Sequence, residues 1–229
     1  MLVGGIDISS VQGKVSPSDW AKVAARGSRF AIAKCGNGND RVDPDWTDVL
    51  DARPYGIAAG VYHYLYVGLP DDPRHPGRGP IDQARAHFAA CGGFGSKAGE
   101  LPACLDAEYP TPDQWGKPIP DVDNSIVTGE RALSWLLAYG SEYRRLQGRK
   151  PILYSYPYWL RSLPRSPDLD ALSEFYLWIA AYGPSVPPIY PWAGWTLWQT
   201  SGGSSERMPD GSPVDTDECD DATIAELLS

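Results

Sequence analysis

The stretch Leu101-Pro-Ala-Cys-Leu-Asp-Ala-Glu-Tyr-Pro110 decides how the rest of this chain is read. Small and apolar residues lead into Asp106 and Glu108, and Tyr109-Pro110 then breaks the pattern, which predicts a short buried strand ending in acid. Alternation along a strand puts Leu101, Ala103, Leu105 and Ala107 on one face and Cys104, Asp106 and Glu108 on the other. The two acids share a face, with Cα atoms about 7 Å apart at two strand steps. At that spacing each charge raises the pKa of the other, and burial raises both. Such a site keeps one carboxylic acid protonated near neutral pH beside one that stays charged. The plain alternative is a solvated Asp and Glu at a strand end.

Toward the N-terminus the chain repeats strand-then-helix units. Val3 to Ile8 reads as a strand ending in Asp7, and Ser16-Pro-Ser-Asp19 is a capping sequence that starts a helix through Trp20, Val23 and Ala24. Phe30 to Cys35 is a second strand, followed by the loop Gly36 to Asn39 and by Asp43-Pro44, which opens a helix that Pro54 ends. Gly56 to Tyr66 is a third strand, with Tyr62, Tyr64 and Tyr66 on one face and Val61, His63 and Leu65 on the other. Gly68 to Pro80 reads as a long loop, and Ile81 to Ala90 as a helix.

Toward the C-terminus, a polar loop over Thr111 to Asp123 leads to a helix from about Ser125 to Gln147, closed by Gly148. Pro151 to Ser155 is the fifth strand, and Tyr158 to Leu163 is a helical turn or two. Phe175 to Ala181 and Gly194 to Thr200 then read as strands joined by proline-rich loop, Val214 to Asp217 as a last short one, and Asp221 to Leu228 as a closing helix. Five strand–helix units followed by strands without proper helices predict a single α/β domain over residues 1–229, an irregular closed barrel with a degenerate second half. In such barrels functional side chains come from strand C-termini, where Asp7, Asp106, Glu108, Tyr154, Tyr182, Gln199 and Asp215 all fall. Acids converging at one mouth need a purpose, because unpaired buried charge is costly.

Composition narrows the function. The 42% hydrophobic and 21% charged content is that of an ordinary globular protein, but 9 Trp and 13 Tyr supply many flat faces on which sugar rings stack. A net charge of −9 argues against nucleic acid and anionic membranes as partners. No stretch approaches the roughly 20 apolar residues of a membrane span, and Met1 runs straight into Val3-Gly-Gly-Ile-Asp7 with no leader pattern. Cys35, Cys91, Cys104 and Cys219 are scattered without a paired spacing, which argues against a zinc cluster. Cys104 reads as a small core residue.

In order and spacing, Gly5-Ile-Asp7-Ile-Ser9 with Gln12-Gly13, Phe30-Ala-Ile-Ala-Lys34, Gly60-Val-Tyr-His-Tyr64, Leu105-Asp-Ala-Glu108, Ile152-Leu-Tyr154, Leu177 to Tyr182, Trp195-Thr-Leu-Trp-Gln199 and Val214-Asp215 resemble the glycoside hydrolase family 25 lysozymes, the Chalaropsis-type N-acetylmuramidases. The resemblance spans nearly the whole chain. It implies a (β/α)5(β)3 barrel and hydrolysis of the β-1,4 bond between N-acetylmuramic acid and N-acetylglucosamine in bacterial peptidoglycan. It implies Glu108 as the general acid, Asp106 as its partner, and Asp7 and Asp215 as outer acids of the mouth. Tyr62, Tyr154, Tyr182 and Trp198 match aromatics that line the family's groove, and Tyr64, Gln199 and Asn37 complete the expected substrate-binding set. Two positions depart from the family pattern. Lys34-Cys-Gly-Asn-Gly38 carries Asn37 where an acid is usual, and Val214-Asp-Thr-Asp217 ends in Asp where Asn is usual.

The expected protein therefore needs no metal or cofactor and acts as a monomer on the wall, either secreted or released as a phage endolysin. Two other readings compete. Asp7, Asp106, Glu108 and His63 would make a carboxylate-rich metal site for an amidase or esterase, although His63 alternates away from Tyr62. A wall-binding barrel with weak or no activity is the other, kept open by Asn37. His75 and His87 read as surface or packing residues.

Overall fold

The computed structural model describes residues 1–39, 41–69, 77–108 and 129–229. Its strands are β1 (Leu2–Ile8), β2 (Ser28–Asn37), β3 (Arg41–Val42), β4 (Ala58–Tyr64), β5 (Cys104–Asp106), β6 (Ile152–Ser155), β7 (Tyr176–Ala180), β8 (Leu197–Arg207) and β9 (Pro213–Asp220). From β1 through β2, β4, β5, β6 and β7 to β8 every pairing is parallel, and β9 runs antiparallel between β8 and β1. The sheet closes on itself, giving an eight-stranded mixed barrel with β3 as a flap on β2.

Helices α1 (Pro17–Ala25), α2 (Pro80–Ala90), α3 (Glu130–Gln147), α4 (Pro157–Ser162), α5 (Pro167–Asp170) and α6 (Asp221–Leu227) accompany it. The capping sequence ahead of α1 forms as expected: Ser16 accepts from the Asp19 amide at 3.3 Å and donates to its carboxylate at 2.6 Å. The segment opened by Asp43-Pro44 differs, because Trp46–Tyr55 is a 3₁₀ stretch that contains Pro54 and ends at Gly56 with φ 77°. Asp43 caps no helix there; its carboxylate accepts from the Ser10 amide at 3.1 Å and ties β1's outgoing loop to β2's. The expected loops 68–80 and 111–123, and the start of the long helix with Ile126, lie wholly or partly outside the described residues.

Two apolar layers follow from strand alternation. Ile6, Ala31, Ala33, Val61, Leu105, Leu153 and Ile179 face outward and pack on Trp20, Leu133, Leu136, Tyr139 and Trp159 from the helices. Phe30, Ile32, Cys104, Ile152, Trp178 and Leu197 face inward, and Ile224 and Leu227 of α6 join them to close the barrel floor. Close approach requires glycine on β1, since a Cβ at Gly5 would stand 2.3 Å from the Phe30 ring. Leu101 corrects the sequence reading. It lies in the inner layer with Cys104 rather than with Leu105, because Pro102 supplies no ladder N–H and the strand begins only at Cys104.

The last strands are longer than expected. β8 extends to Arg207 and β9 to Asp220, because Ser201 to Glu206 pair through bulges that carry no apolar alternation to announce them.

Candidate active site

The parallel strands bring their C-terminal ends to one rim, and β9 enters at the same rim through Asp215, which pairs with Asp7 across β1. Period-two alternation sends Asp7, Lys34, Tyr62, Asp106, Tyr154, Gln199 and Asp215 toward the barrel axis. The strand pairings set Tyr62 beside Lys34, and Tyr64 beside both Asn37 and Asp106.

Four acids share this mouth. Burial raises all of them. Asp7 is 6% exposed, and burial followed by the charge of Asp215 pushes it up to about 7. Asp106 stands well above the carboxylate range, from burial and then from the charge of Glu108. Glu108 is also raised, chiefly by burial. Asp106 and Glu108 act on each other at close range, each shifting the pKa of the other. The titration thus belongs to the pair. Among the described residues no donor reaches the buried Asp106 Oδ1.

Gln199 is the hub of the opposite wall. Its Oε1 accepts from the hydroxyls of Tyr154 at 2.9 Å and Tyr182 at 2.8 Å, which fixes the amide so that Nε2 donates to Asp7 at 2.7 Å and Asp215 at 3.4 Å. One buried amide therefore orients two aromatics and two acids. Tyr182 remains 64% exposed at the rim. Tyr62 lies among all four acids, whose charges add to burial in raising its hydroxyl pKa. Asp7, Ser9, Gln12, Tyr62, Gly202 and Asp215 line a recess of about 310 Å³. A larger cavity of about 620 Å³, lined by Val23, Arg26, Glu206 and Met208, includes none of the four acids.

Lys34 is a residue that sequence reading passed over, although it follows Phe30 and Ile32 at period two. Its Nζ stands 5.2 Å from the Tyr64 ring centroid and 5.9 Å from that of Tyr62. Burial lowers its pKa while Asp106 supports its charge, and it in turn favours ionised Asp106. Asn37 is buried beside it, and no described donor reaches its Oδ1. Asp217, marked in the sequence only as a departure from the family pattern and given no role at the site, lies two residues beyond Asp215 on the same face; Trp178 Nε1 donates to its Oδ1 at 2.8 Å.

Trp198 is not brought to the acids. It pairs with outward-facing Ile179, packs on the outer layer beside Trp195, and donates to the Ala181 carbonyl at 2.8 Å. His63 also leaves the site, on the outer face of β4, so the carboxylate–histidine metal arrangement with Asp7, Asp106 and Glu108 does not form. Instead Cys35, His63 and His87 bring one ligand atom each within 4.8 Å of one another, a cluster that the sequence spacing gave no hint of. The His63 and His87 rings are stacked 4.5 Å apart at 14°, so their in-plane lone pairs do not converge on one point. Each is also engaged: His63 Nε2 donates to the Gly38 carbonyl at 2.7 Å and His87 Nδ1 lies 2.8 Å from the Tyr139 hydroxyl. All four cysteines are buried free thiols, Cys104 inside the barrel as expected.

With the geometry in view, the comparisons agree. The sequence profile of glycosyl hydrolases family 25 matches residues 6–207. The chain belongs to glycosyl hydrolase family 25. An N,O-diacetylmuramidase of Chalaropsis sp is 28% identical over 225 residues, covering 92% of this chain and 95% of that protein. Among solved structures, a muramidase from Trichobolus zukalii superposes with TM-score 0.75 at 24% identity, covering 99% of this chain and 98% of the other. The bacterial lysozyme from Streptomyces coelicolor gives TM-score 0.75 at 22% identity, with 99% and 96% covered. In this family 25 chain only short α4 and α5 and a 3₁₀ turn separate β6 from β7, and no helix separates β8 from β9.

Proposed function

We propose that this chain is a lysozyme, an N-acetylmuramidase that hydrolyses the β-1,4 bond between N-acetylmuramic acid and N-acetylglucosamine in bacterial peptidoglycan. The carrying observation is the contact between Asp106 and Glu108 at a mouth that also holds Asp7 and Asp215. Glu108, the more accessible of the pair, gives a proton to the glycosidic oxygen as the bond breaks. Lys34 favours the ionised form of both carboxyls, and access to substrate makes Glu108 the one that hands over the proton.

The same contact bears on the second half of the reaction. Inverting glycosidases separate their two carboxyls by about 6.5–9.5 Å to admit a water, and retaining ones by about 5–5.5 Å to place a nucleophile on the far face of the sugar. Asp106 and Glu108 come from the end of one strand and reach the sugar from the same side, which fits neither arrangement. Asp106 instead orients the substrate's 2-acetamido group, whose carbonyl oxygen attacks the anomeric carbon and is displaced by water on the same face, with net retention. Tyr62, Tyr64, Tyr154 and Tyr182 offer faces and hydroxyls to the sugars, and Asp7, Asp215 and Asn37 bind polar substituents. All these groups come from one barrel, which fits a monomeric catalytic domain acting outside the cytoplasm, where its polymer lies. Digestion of purified sacculi followed by mass spectrometry tests the reading: new reducing ends on N-acetylmuramic acid support it, while released peptide amines or unchanged sacculi refute it.

A further inference from the structure

The barrel holds a second carboxyl pair below the first. Asp217 is 1% exposed, one turn of the alternation beneath Asp215, between β1 and β8. Its Oδ1 accepts from Trp178 Nε1 at 2.8 Å, whereas no donor among the described residues reaches its buried Oδ2. The Asp7 carboxyl stands diagonally across the β1–β9 ladder from Asp217, and each shifts the pKa of the other as a hydrogen-bond partner does. Two carboxylates accept only; the contact needs a proton. Asp7 already receives Gln199 Nε2 at 2.7 Å, the kind of donor that favours its anion.

We infer that Asp217 is a positioning residue held as a neutral carboxylic acid, whose Oδ2 hydroxyl donates to Asp7 and, with Gln199, aims the Asp7 carboxylate into the mouth. The surroundings agree. The ionisable groups around Asp217 are Asp7 on β1, Asp215 on its own strand, Cys104 on β5 and Tyr182 beyond β7, all acids, and burial followed by Asp7 raises Asp217 well above the usual range. An orphaned carboxylate oxygen becomes a satisfied donor once protonated, which removes both the buried charge and the unmade bond. The device has a built-in limit: when pH strips this proton, two carboxylates face each other and Asp7 loses its aim. Asparagine would donate in the same way with nothing to lose.

The role of Asp7 in turnover rests on the muramidase reading; the protonation state does not, so the test has two arms. In the first, wild type and Asp217→Asn are unfolded in urea between pH 5 and pH 7. A folded state that holds one proton more than the unfolded chain loses stability as pH rises. The ratio of unfolding constants, wild type over variant, should therefore climb about tenfold per pH unit. A ratio flat with pH means that Asp217 is already ionised and overturns the inference whatever the enzyme cleaves. In the second arm, Asp217→Asn should retain turnover at pH 5 and keep it to higher pH than wild type, while Asp217→Leu, which cannot donate, should lose about tenfold at pH 5. Superimposable pH profiles for wild type and Asp217→Asn would leave Asp217 without a positioning role and refute that part.

Discussion

Two carboxyl pairs in one barrel each carry a buried oxygen without a partner among the described residues and differ in their access to water. Asp106 and Glu108 meet at the rim, where Glu108 is half-buried and Lys34 stands by to hold charge. Asp7 and Asp217 meet deeper, under Gln199 and against Trp178, with Asp217 sealed. A proton at the rim can be handed to substrate and recovered from water. A sealed proton cannot turn over, so it serves as structure. On the proposed reading the same chemistry yields a donor in one place and a support in the other, and exposure separates them.

The largest way to break that contrast is at the rim. Glu108→Gln keeps size and hydrogen bonding but has no proton to give, and kcat should fall about 10³-fold with the melting temperature near that of wild type. Retained lysis would assign the donor elsewhere. For the deeper pair the expected signature is stability. Burial and the charge of Asp215 push Asp7 up to about 7, burial and Asp7 raise Asp217 well above the usual carboxylate range, and the titration belongs to the two together. The one proton held by the pair is therefore favoured by folding, so its contribution is complete below about pH 4 and is lost as pH rises through the pair's raised titration. Chemical denaturation should show a folding constant that drops by up to about tenfold per pH unit across this window, and Asp7→Asn should flatten the slope by one proton.

Gln199→Leu sharpens the comparison by cutting the bonds that join the deep pair to the rim aromatics. Loss of buried bonds to Tyr154, Tyr182 and Asp7, at about 1–3 kcal/mol for each group left unsatisfied, should lower kcat/KM on the order of 10²-fold. Steady-state kinetics on a soluble glycan oligomer would check it. The smallest effect is expected at Gly202, where an added Cβ would come 2.9 Å from the Tyr182 hydroxyl. Tyr182 is exposed and can swing aside, so Gly202→Ala should raise KM about two- to fivefold and leave kcat nearly unchanged.

Much of the site was legible in the sequence because it follows strand alternation. Cys104, Asp106 and Glu108 share the inner face, and Asp7 and Tyr154 lie at strand ends as read, whereas Gln199 falls inside β8 and Asp215 near the start of β9. Lys34 and Asp217 carried the same signal, since each extends an alternating run by one step. Trp198 was assigned by resemblance against its own alternation with Gln199, and the alternation prevailed. The Cys35–His63–His87 cluster could not be read, because it joins β2, β4 and α2 through packing that no local period records. The bonding of Gln199 was equally hidden: a polar residue at a strand end announces a position, while its four partners come from four different segments.

The placement of Asp106 and Glu108 at one strand end carries a stereochemical prediction that one measurement addresses. Proton NMR of a chitooligosaccharide or glycan fragment, followed from the first turnover before mutarotation, reports the anomer released. Attack by the substrate's acetamido oxygen predicts the β anomer at the new reducing end. First appearance of the α anomer would mean that water attacks directly across the ring, between carboxyls held apart, and would contradict the account.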